Sequence, residues 1–207
     1  MIDTKENILL TALRLFARDG YEAVSVSMIA GELGMTKGAL YKHYKNKRDI
    51  FDSIVERMYQ IDAERSMQYE VPQEKYEVEP KSYQNQSINN MKAFTIAQFS
   101  FWCEHDFASN FRKMLTLEQY RNAEMAELYS SCITAGPVAY MGDIFREMIA
   151  EGVFKETDPK QLAIEFYAPF YLLLNVFDCS KGKVNAMELL KDHIERFIQF
   201  HATERRS

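Results

Sequence analysis

The sequence predicts an all-α protein in which a short N-terminal helical domain precedes a larger helical body. Apolar residues recur three and four positions apart along most of the 207 residues, which is the spacing of amphipathic helices. No segment alternates apolar and polar residues as a half-buried strand does, and no Asn-Gly pair marks a hairpin. An apolar content of 47% can build a sizeable core, and the length suits one small and one medium domain.

The first helix is expected to run from Asp3 or Thr4 to Asp19, with Gly20 closing it. Its apolar residues fall on one face at helical spacing. They are Ile8, Leu9, Ala12, Leu13 and Phe16. We expect this face to pack on the next two helices and to form a three-helix domain with them.

Two short helices joined by a tight turn are predicted next. Ser25 and Thr36 are good N-caps for these helices. Gly34 ends the first of them, because glycine adopts the left-handed C-terminal geometry without steric cost, and Met35 fills the turn. The inward-facing residues are Ile29 and Leu33 in the first helix and Leu40 and Tyr44 in the second. This is the spacing of a helix-turn-helix motif.

The window from Met35 to Arg48 is strongly cationic. Its five basic residues are Lys37, Lys42, Lys45, Lys47 and Arg48, and it contains no Asp or Glu, so it carries +5. The whole chain carries −5. A basic strip on an acidic protein indicates a localised contact with phosphates and not a general affinity for polyanions. By itself, such a run is more often a solvated helix face.

The run from Asn7 to Phe51 resembles the DNA-binding domain of the TetR (tetracycline-repressor) family of bacterial transcription regulators. The matching residues are Ala12, Leu15, Phe16, Gly20, Ser25, Ile29, Ala30, Gly34, the run from Thr36 to Tyr44, Lys47 and Phe51. The family often has Ala-Gly-Val-Ser before its second helix, where this chain keeps the glycine and the hydroxyl cap but has Leu33 and Met35. The remaining three-quarters of the chain shows no comparable motif.

The second helix of such a motif lies in the major groove with its N-terminal residues at the base edges. Lys37 is therefore expected to reach a guanine and Ala39 to offer its methyl group to a thymine. Gly38 either permits close approach to DNA or is a tolerated surface glycine. Tyr41, His43, Tyr44 and Lys47 fit contacts to phosphates, a role that the resemblance implies for Tyr41, His43 and Lys47 and less clearly for Tyr44. The full predicted DNA-binding set is Ser25, Ser27, Thr36, Lys37, Gly38, Ala39, Tyr41, Lys42, His43, Tyr44 and Lys47, with Tyr44 alternatively closing the core.

Beyond this motif the chain divides into further helices. A fourth helix is expected from Asn46 to about Tyr69, followed by a polar loop with two prolines from Val71 to Gln86. Helical spacing resumes at Ser87 and continues to Gly152. Two C-terminal helices are then expected, at residues 159–177, through Pro169, and at residues 184–202. The predicted segments are a helix-turn-helix DNA-binding domain (1–47), a connecting helix (48–70), a loop (71–86) and a helical effector-binding and dimerisation domain (87–207).

One helix-turn-helix covers one half-site, so specificity usually requires a dimer on a near-palindromic operator. The apolar faces of the two C-terminal helices are the expected dimer surface. They comprise Leu162, Phe166, Phe170 and Leu173 in the first helix and Leu190, Ile194, Phe197 and Ile198 in the second. Alternatively these faces fill the core of the monomer. The resemblance, which implies a four-helix dimer interface, favours the homodimer.

An effector pocket is the other expectation that rests mainly on the resemblance. Aromatic residues and methionines are frequent in the body, and a cavity that they line would accept a small apolar or aromatic molecule. The candidates are Phe99, Trp102, His105, Met114, Tyr120, Met125, Tyr140, Met141, Phe145 and Tyr171. The alternative is an ordinary core.

The sequence offers little support for an enzyme or a membrane protein. It lacks a phosphate-binding glycine loop, GxSxG and HExxH, and its SxxK match at Ser180 has no partner motifs. We expect no catalytic residue, cofactor or metal. Three scattered cysteines indicate reduced thiols and a cytoplasmic protein. The most apolar stretch, Phe166 to Phe177, is about 12 residues, too short to span a membrane.

The sequence therefore predicts a regulator that binds double-stranded operator DNA as a homodimer, most simply a repressor released by a small apolar or aromatic effector. The alternative is a ligand-independent accessory regulator that binds DNA and whose body binds a partner protein. A deep apolar cavity would favour the first reading, and a closed or absent one the second.

Overall fold

The computed structural model describes residues 3–74, 76–180 and 185–203. Over these ranges the chain is all-α, as predicted, and its one β contact is an isolated antiparallel bridge between Phe154 and Ala202. The α-helices are α1 (Thr4–Asp19), α2 (Val26–Glu32), α3 (Lys37–Leu40), α4 (Lys47–Gln68), α5 (Ile88–Glu104), α6 (Asp106–Glu118), α7 (Ala123–Ile133), α8 (Ala135–Ala150), α9 (Pro159–Ser180) and α10 (Ala186–His201), with a 3-10 helix at Pro80–Tyr83.

The chain forms two compact units. The first comprises Met1–Glu64 and His105–Tyr129, and the second comprises Arg65–Glu104 and Ser130–Ser207. Helix α6, which the sequence grouped with the C-terminal body, packs on α1 in the first unit. It does so because α6 buries a continuous apolar face there. The buried apolar residues of α6 are Phe107, Ala108, Phe111, Met114 and Leu115.

The core of the first unit contains the predicted α1 stripe. All five of its residues are buried, as are Ile29 in α2 and Leu40 in α3. Helix α4 adds Ile50, Phe51 and Ile54 to this core. Burial of each such side chain contributes about 1.5–3 kcal/mol, and this packing fixes α2 on α1 and α3 on α2.

Helix α1 ends at a glycine that no other residue could replace without strain. Gly20 has φ +91° and ψ 149°, and its N–H donates to Phe16 O over 3.0 Å. A Cβ atom at this position would lie 2.6 Å from Oε1 of Glu118, the last residue of α6. The Glu118 side chain is fully buried, and neither of its carboxyl oxygens has a hydrogen-bond partner among the described residues. The exit of α1 therefore packs directly against a buried carboxyl group.

The core of the second unit is built around Phe145 of α8. Its ring lies 5.5 Å from those of Phe154 and Phe166 and 5.6 Å from that of Phe197, measured between centroids. These aromatic contacts join α8, α9 and α10 because each helix directs one apolar face inward.

The residues predicted for the dimer surface lie in this core. Those buried within the monomer are Leu162, Phe166, Phe170, Leu173, Leu190, Ile194 and Phe197, and Ile198 is half-buried. The prediction that these faces of α9 and α10 form the dimer surface was therefore wrong. Helical spacing identifies an apolar face but does not say whether the same chain or a second copy covers it.

The segment expected as a polar loop, residues 71–86, is partly packed. Val71 is buried, and Tyr83 is 2% exposed and donates its hydroxyl to Glu74 O over 2.9 Å. The rings of Tyr76 and Tyr140 lie 5.3 and 5.9 Å from that of Tyr83. The two prolines ended the helical pattern, but the tyrosines between and after them anchor the segment to the second unit.

Helix α9 is longer than the apolar stretch seen in the sequence. Among the described residues, this helix of 22 residues is long and apolar enough to cross a membrane by length and composition. This is weak evidence, because the core helices of many soluble proteins pass the same test.

Gly20→Ala should lower the free energy of unfolding by about 1–3 kcal/mol, the cost of a side chain in a glycine-only backbone region. Chemical denaturation followed by circular dichroism measures this loss. Gly31→Ala is the matched control, because a Cβ there meets nothing within 4 Å and alanine favours a helix. If Gly20→Ala were as stable as the unmodified chain, the strain at this position would be refuted. Adding Glu118→Ala should relieve only the part of the loss that comes from the 2.6 Å contact.

Candidate nucleic-acid interface

Helix α2 begins at the predicted cap and is held by its buried face. Ser25 Oγ accepts a hydrogen bond from the Met28 amide over 3.2 Å. Ile29 and Ala30 are 0% and 2% exposed. Ser27 lies on the exposed side of the same helix, so Ser27 is available to an external partner.

The turn between α2 and α3 depends on Gly34. This residue has φ +64°, and its N–H donates to Gly31 O over 3.1 Å. The Met35 amide then donates to Ala30 O over 2.9 Å. Because an added Cβ would meet nothing within 4 Å, glycine is favoured here by the left-handed backbone and not by crowding.

Helix α3 is shorter than the sequence suggested. It covers only Lys37–Leu40 and continues as a turn in which the His43 amide donates to Leu40 O over 2.9 Å. Thr36 caps it, with Oγ1 accepting from the Ala39 amide over 3.1 Å. Leu40 is completely buried, so it anchors the segment while the preceding residues face outward.

The outward side of this segment carries most of the predicted DNA-binding residues. The exposed ones are Ser25, Ser27, Thr36, Lys37, Gly38, Tyr41 and Lys42, while Ala39 and His43 are half-buried. A Cβ at Gly38 would lie no closer than 4.0 Å to its neighbour, Thr36 Oγ1. The folded chain therefore does not itself require glycine at this position, and both interpretations of Gly38 stand.

Tyr44 is not on the outward side. It is 2% exposed, and its hydroxyl donates to Lys5 O over 3.3 Å at the start of α1. Burial, followed by the negative charge of Glu6, raises the pKa of Tyr44 to about 12. This position contradicts the phosphate contact predicted for Tyr44 and supports the alternative, an aromatic residue that closes the core.

Lys47 is also directed into the protein. Its Nζ donates to Tyr21 O over 2.9 Å and lies 3.5 Å from Glu22 O. The same Nζ lies 4.2 Å from the centroid of the Tyr21 ring. No pattern in the sequence predicts this contact, because the acceptors are backbone carbonyls 26 and 25 residues away along the chain.

Arg48 has two carboxylate partners within the first unit. Its guanidinium donates to both oxygens of Glu124 and, through Nε, to Asp52, each over 2.6 Å. The hydrogen bonds to Glu124 and then Asp52 raise the Arg48 pKa. The charge of Arg48 is therefore largely balanced locally, and the solvent-exposed lysines of the strip are Lys37, Lys42 and Lys45.

The residues predicted to bind an effector are divided between the two units. Four of them, His105, Met114, Tyr120 and Met125, belong to the first unit, and Phe99, Trp102, Tyr140, Met141, Phe145 and Tyr171 belong to the second. Tyr120 is 89% exposed, so it does not line an interior cavity of the monomer. His105 caps α6, with Nδ1 accepting from the Ala108 amide over 3.4 Å.

Several of these residues make core contacts. The Phe99 ring lies 5.4 Å from that of Phe170, and Trp102 lies 5.4 Å from Phe101. Met114 and Met125 are 0% and 1% exposed.

Among the described residues, no group of three or more His, Cys, Asp and Glu side chains could hold a metal ion.

Comparison with known proteins points to one family. The family described as "Bacterial regulatory proteins, tetR family" matches residues 8–54, which cover α1 to the first part of α4. The HTH-type transcriptional regulator AcrR of Shigella flexneri is 32% identical over 96 residues, which is 46% of this chain and 43% of AcrR. The alignment thus spans less than half of that relative.

Solved structures match over nearly the whole chain. The SmeT–triclosan complex is 20% identical with a TM-score of 0.68 and covers 98% of this chain and 93% of SmeT. SmeT is described as the repressor of the Stenotrophomonas maltophilia multidrug efflux pump SmeDEF. The ketosteroid transcriptional regulator KstR2 of Mycobacterium tuberculosis is 16% identical with a TM-score of 0.69, covering 99% of this chain and 97% of KstR2. At these identities the likeness establishes the fold.

The buried Tyr44 predicts a loss of stability at alkaline pH. The neutral phenol is favoured in the folded state, so its contribution is complete below pH 10.0, the ordinary pKa, and is lost as pH rises through about 12. Urea unfolding from pH 8 to 11 should therefore show a steeper decline in the unmodified chain than in Tyr44→Phe. Parallel declines for the two proteins would contradict this assignment.

Proposed function

We propose that the chain is a sequence-specific DNA-binding transcriptional regulator of the TetR family, which the match over residues 8–54 and the 32% identity to AcrR support. We propose further that it is a cytoplasmic, non-enzymatic repressor released from a near-palindromic operator by a small apolar or aromatic effector. The observation that carries the proposal is the capped, exposed start of α3, held on a buried Leu40.

The start of α3 would read base edges in the major groove. Lys37 and Gly38 are exposed and Ala39 is half-buried, and Leu40 fixes the backbone that carries them. Lysine can donate to guanine O6 and N7, and the alanine methyl can contact thymine. Tyr41, Lys42 and His43 follow on the adjoining turn, where contacts to phosphates would set the register.

Dimer formation would place two copies of α3 in successive major grooves, about 34–36 Å apart. The outer face of α9 supports this proposal. Ile164 and Leu172 are 40% and 61% exposed and lie eight residues apart, with exposed Ala168 between them. On α10, Leu189 and Phe200 are 48% and 77% exposed and lie three helical turns apart. We propose this outer face, opposite the buried residues first chosen, as the dimer surface.

An effector would act on the second unit. Phe99 and Trp102 of α5 and Met141 of α8 are buried apolar residues, and SmeT was solved with triclosan. Arg65, in the last turn of α4, donates to Ala97 O over 3.1 Å and to Gln98 Oε1 over 3.0 Å. A ligand that favours another position of α5 would therefore shift the end of α4. Such a population shift would change the spacing of the two copies of α3.

The test of DNA binding is fluorescence anisotropy with the DNA upstream of the protein's own gene and a scrambled control of the same length. Lys37→Ala should cost about 1–3 kcal/mol and relax specificity at one operator position. Lys42→Ala should weaken binding to all sequences and reduce the salt slope by about 0.9. Equal affinity of the unmodified protein for both DNAs would refute the proposed function.

Leu172→Glu should weaken the dimer roughly 30-fold or more, since an apolar interface residue of this kind contributes about 2 kcal/mol. Sedimentation velocity at several concentrations measures the dissociation constant. Leu117→Glu is the control, because Leu117 is 44% exposed and belongs to the first unit, whereas the proposed surface belongs to the second. A dimer that withstands Leu172→Glu would place the interface elsewhere.

A further inference from the structure

We propose that a row of aromatic side chains in the second unit binds the effector, and that this effector is a flat organic cation. The aromatic row comprises Tyr69, Phe94, Tyr140, Tyr83 and Tyr76. The inference rests on the proposed function only in taking the ligand for an effector, because binding at the row can be measured without DNA.

The aromatic row is continuous, although its members are distant in the chain. The centroids of successive rings lie 5.8, 6.5, 5.9 and 5.3 Å apart, in the order Tyr69, Phe94, Tyr140, Tyr83 and Tyr76. All five residues belong to the second unit. The end of α4, α5, α8 and the segment between α4 and α5 thus each contribute to one apolar strip.

This strip reaches the surface along most of its length. Tyr83 is 2% exposed, whereas the other four side chains of the row are half-buried. Hydrogen bonds hold two of the rings in place, from Tyr83 OH to Glu74 O over 2.9 Å and from Tyr140 OH to Pro72 O over 3.3 Å. Fixed and partly exposed aromatic rings offer a large contact area to a flat apolar molecule.

Carboxylates beside the row favour a positively charged ligand. Tyr76 OH donates to Glu147 Oε1 over 2.6 Å. Burial, and then the negative charges of Asp143 and Glu77, raise the pKa of Tyr83 to about 12. A cation near these rings is therefore attracted by the nearby charges, and an anion is repelled.

The rings at the two ends of the row already have cations beside them. Arg146 Cζ lies 4.9 Å from the Tyr76 ring centroid, and Arg65 Cζ lies 5.6 Å from that of Tyr69. Both distances are within the ~6 Å reach of a cation–π interaction. Arg146 also pairs with Asp143 over 2.7 Å, so the three carboxylates near this end outnumber this guanidinium.

A ligand at the middle of the row, on Phe94 of α5 and Tyr140 of α8, would act on the end of α4. The Tyr69 amide donates to Arg65 O over 3.0 Å, so the first ring of the row continues the last turn of α4. A flat cation that binds better to another arrangement of these rings therefore shifts the end of α4.

Thioflavin T is the probe, because it is a flat aromatic cation whose fluorescence rises when it is immobilised. The uncharged benzothiazole with the same rings is the matched compound. Fluorescence titration of the full chain without DNA should show saturable binding of thioflavin T, about fivefold tighter than that of the uncharged compound, as a cation–π interaction provides. Equal affinities, or no saturable binding of thioflavin T, would overturn the inference.

Four variants, each shown to be folded by circular dichroism, locate the site. Phe94→Leu and Tyr140→Leu each remove one ring and keep an apolar side chain, so each should lower the affinity for thioflavin T about tenfold. Tyr140→Phe keeps the ring and should retain the affinity. Tyr120→Leu is the control, because Tyr120 is 89% exposed and belongs to the first unit. If both leucine variants of the row bound as tightly as this control, the site would lie elsewhere.

Glu147→Gln separates charge from shape. Glutamine keeps an oxygen that can accept the hydrogen bond from Tyr76 but removes the negative charge. The affinity for thioflavin T should fall about threefold, the scale of one charge close to a surface site, while the affinity for the uncharged compound stays the same. Equal losses for the two compounds would contradict the role of charge.

Anisotropy with operator DNA then tests the regulatory part. Saturating thioflavin T should weaken operator binding by the unmodified protein, and this response should be lost in Tyr140→Leu. A response that persists in this variant would arise from the dye on the DNA and would refute the effector role, as would no response. A protein that binds thioflavin T at the row but binds no DNA would keep the site and refute the proposed function.

Discussion

The folding of the rest of the first unit depends on the packing of the α1 apolar stripe. Helices of seven and four residues, α2 and α3, are too short to be stable alone. They persist because Ile29 and Leu40 are each 0% exposed in the core that α1 and α4 form. Since the buried side of α3 is fixed in this way, the residues at its start are held outward in one orientation, which is what base recognition needs.

The basic residues around this motif divide into two that have hydrogen-bond partners within the fold and three that are directed to solvent. Lys47 and Arg48 close the junction between the turn after α1, α4 and α7, through carbonyls in one case and carboxylates in the other. Lys37, Lys42 and Lys45 remain toward solvent. A strip that counts as +5 in the sequence therefore presents fewer charges to a partner. The remaining positive charges are concentrated close to α3, which favours a local contact over a general attraction to polyanions.

In the second unit, the two C-terminal helices carry apolar residues on both of their sides. One side of α9 and α10 is buried around Phe145, through Phe166 and Phe197. The other side leaves Leu172 and Phe200 exposed. Helices with apolar residues on two faces are expected where a core and an interface share the same element, which is the arrangement that the proposed dimer surface requires.

The sequence by itself determined the helical class, the caps at Ser25 and Thr36, and the left-handed Gly34, because each depends on residues within a few positions of one another. It also carried the resemblance to the TetR family, because the motif of that family is local and continuous. Only the tertiary structure decided that Tyr44 and Lys47 turn inward and that α6 packs on α1, because those outcomes depend on groups distant in the chain. The same reason applies to the proposed dimer face, because periodicity shows that α9 is apolar and only packing shows which of its sides is already covered.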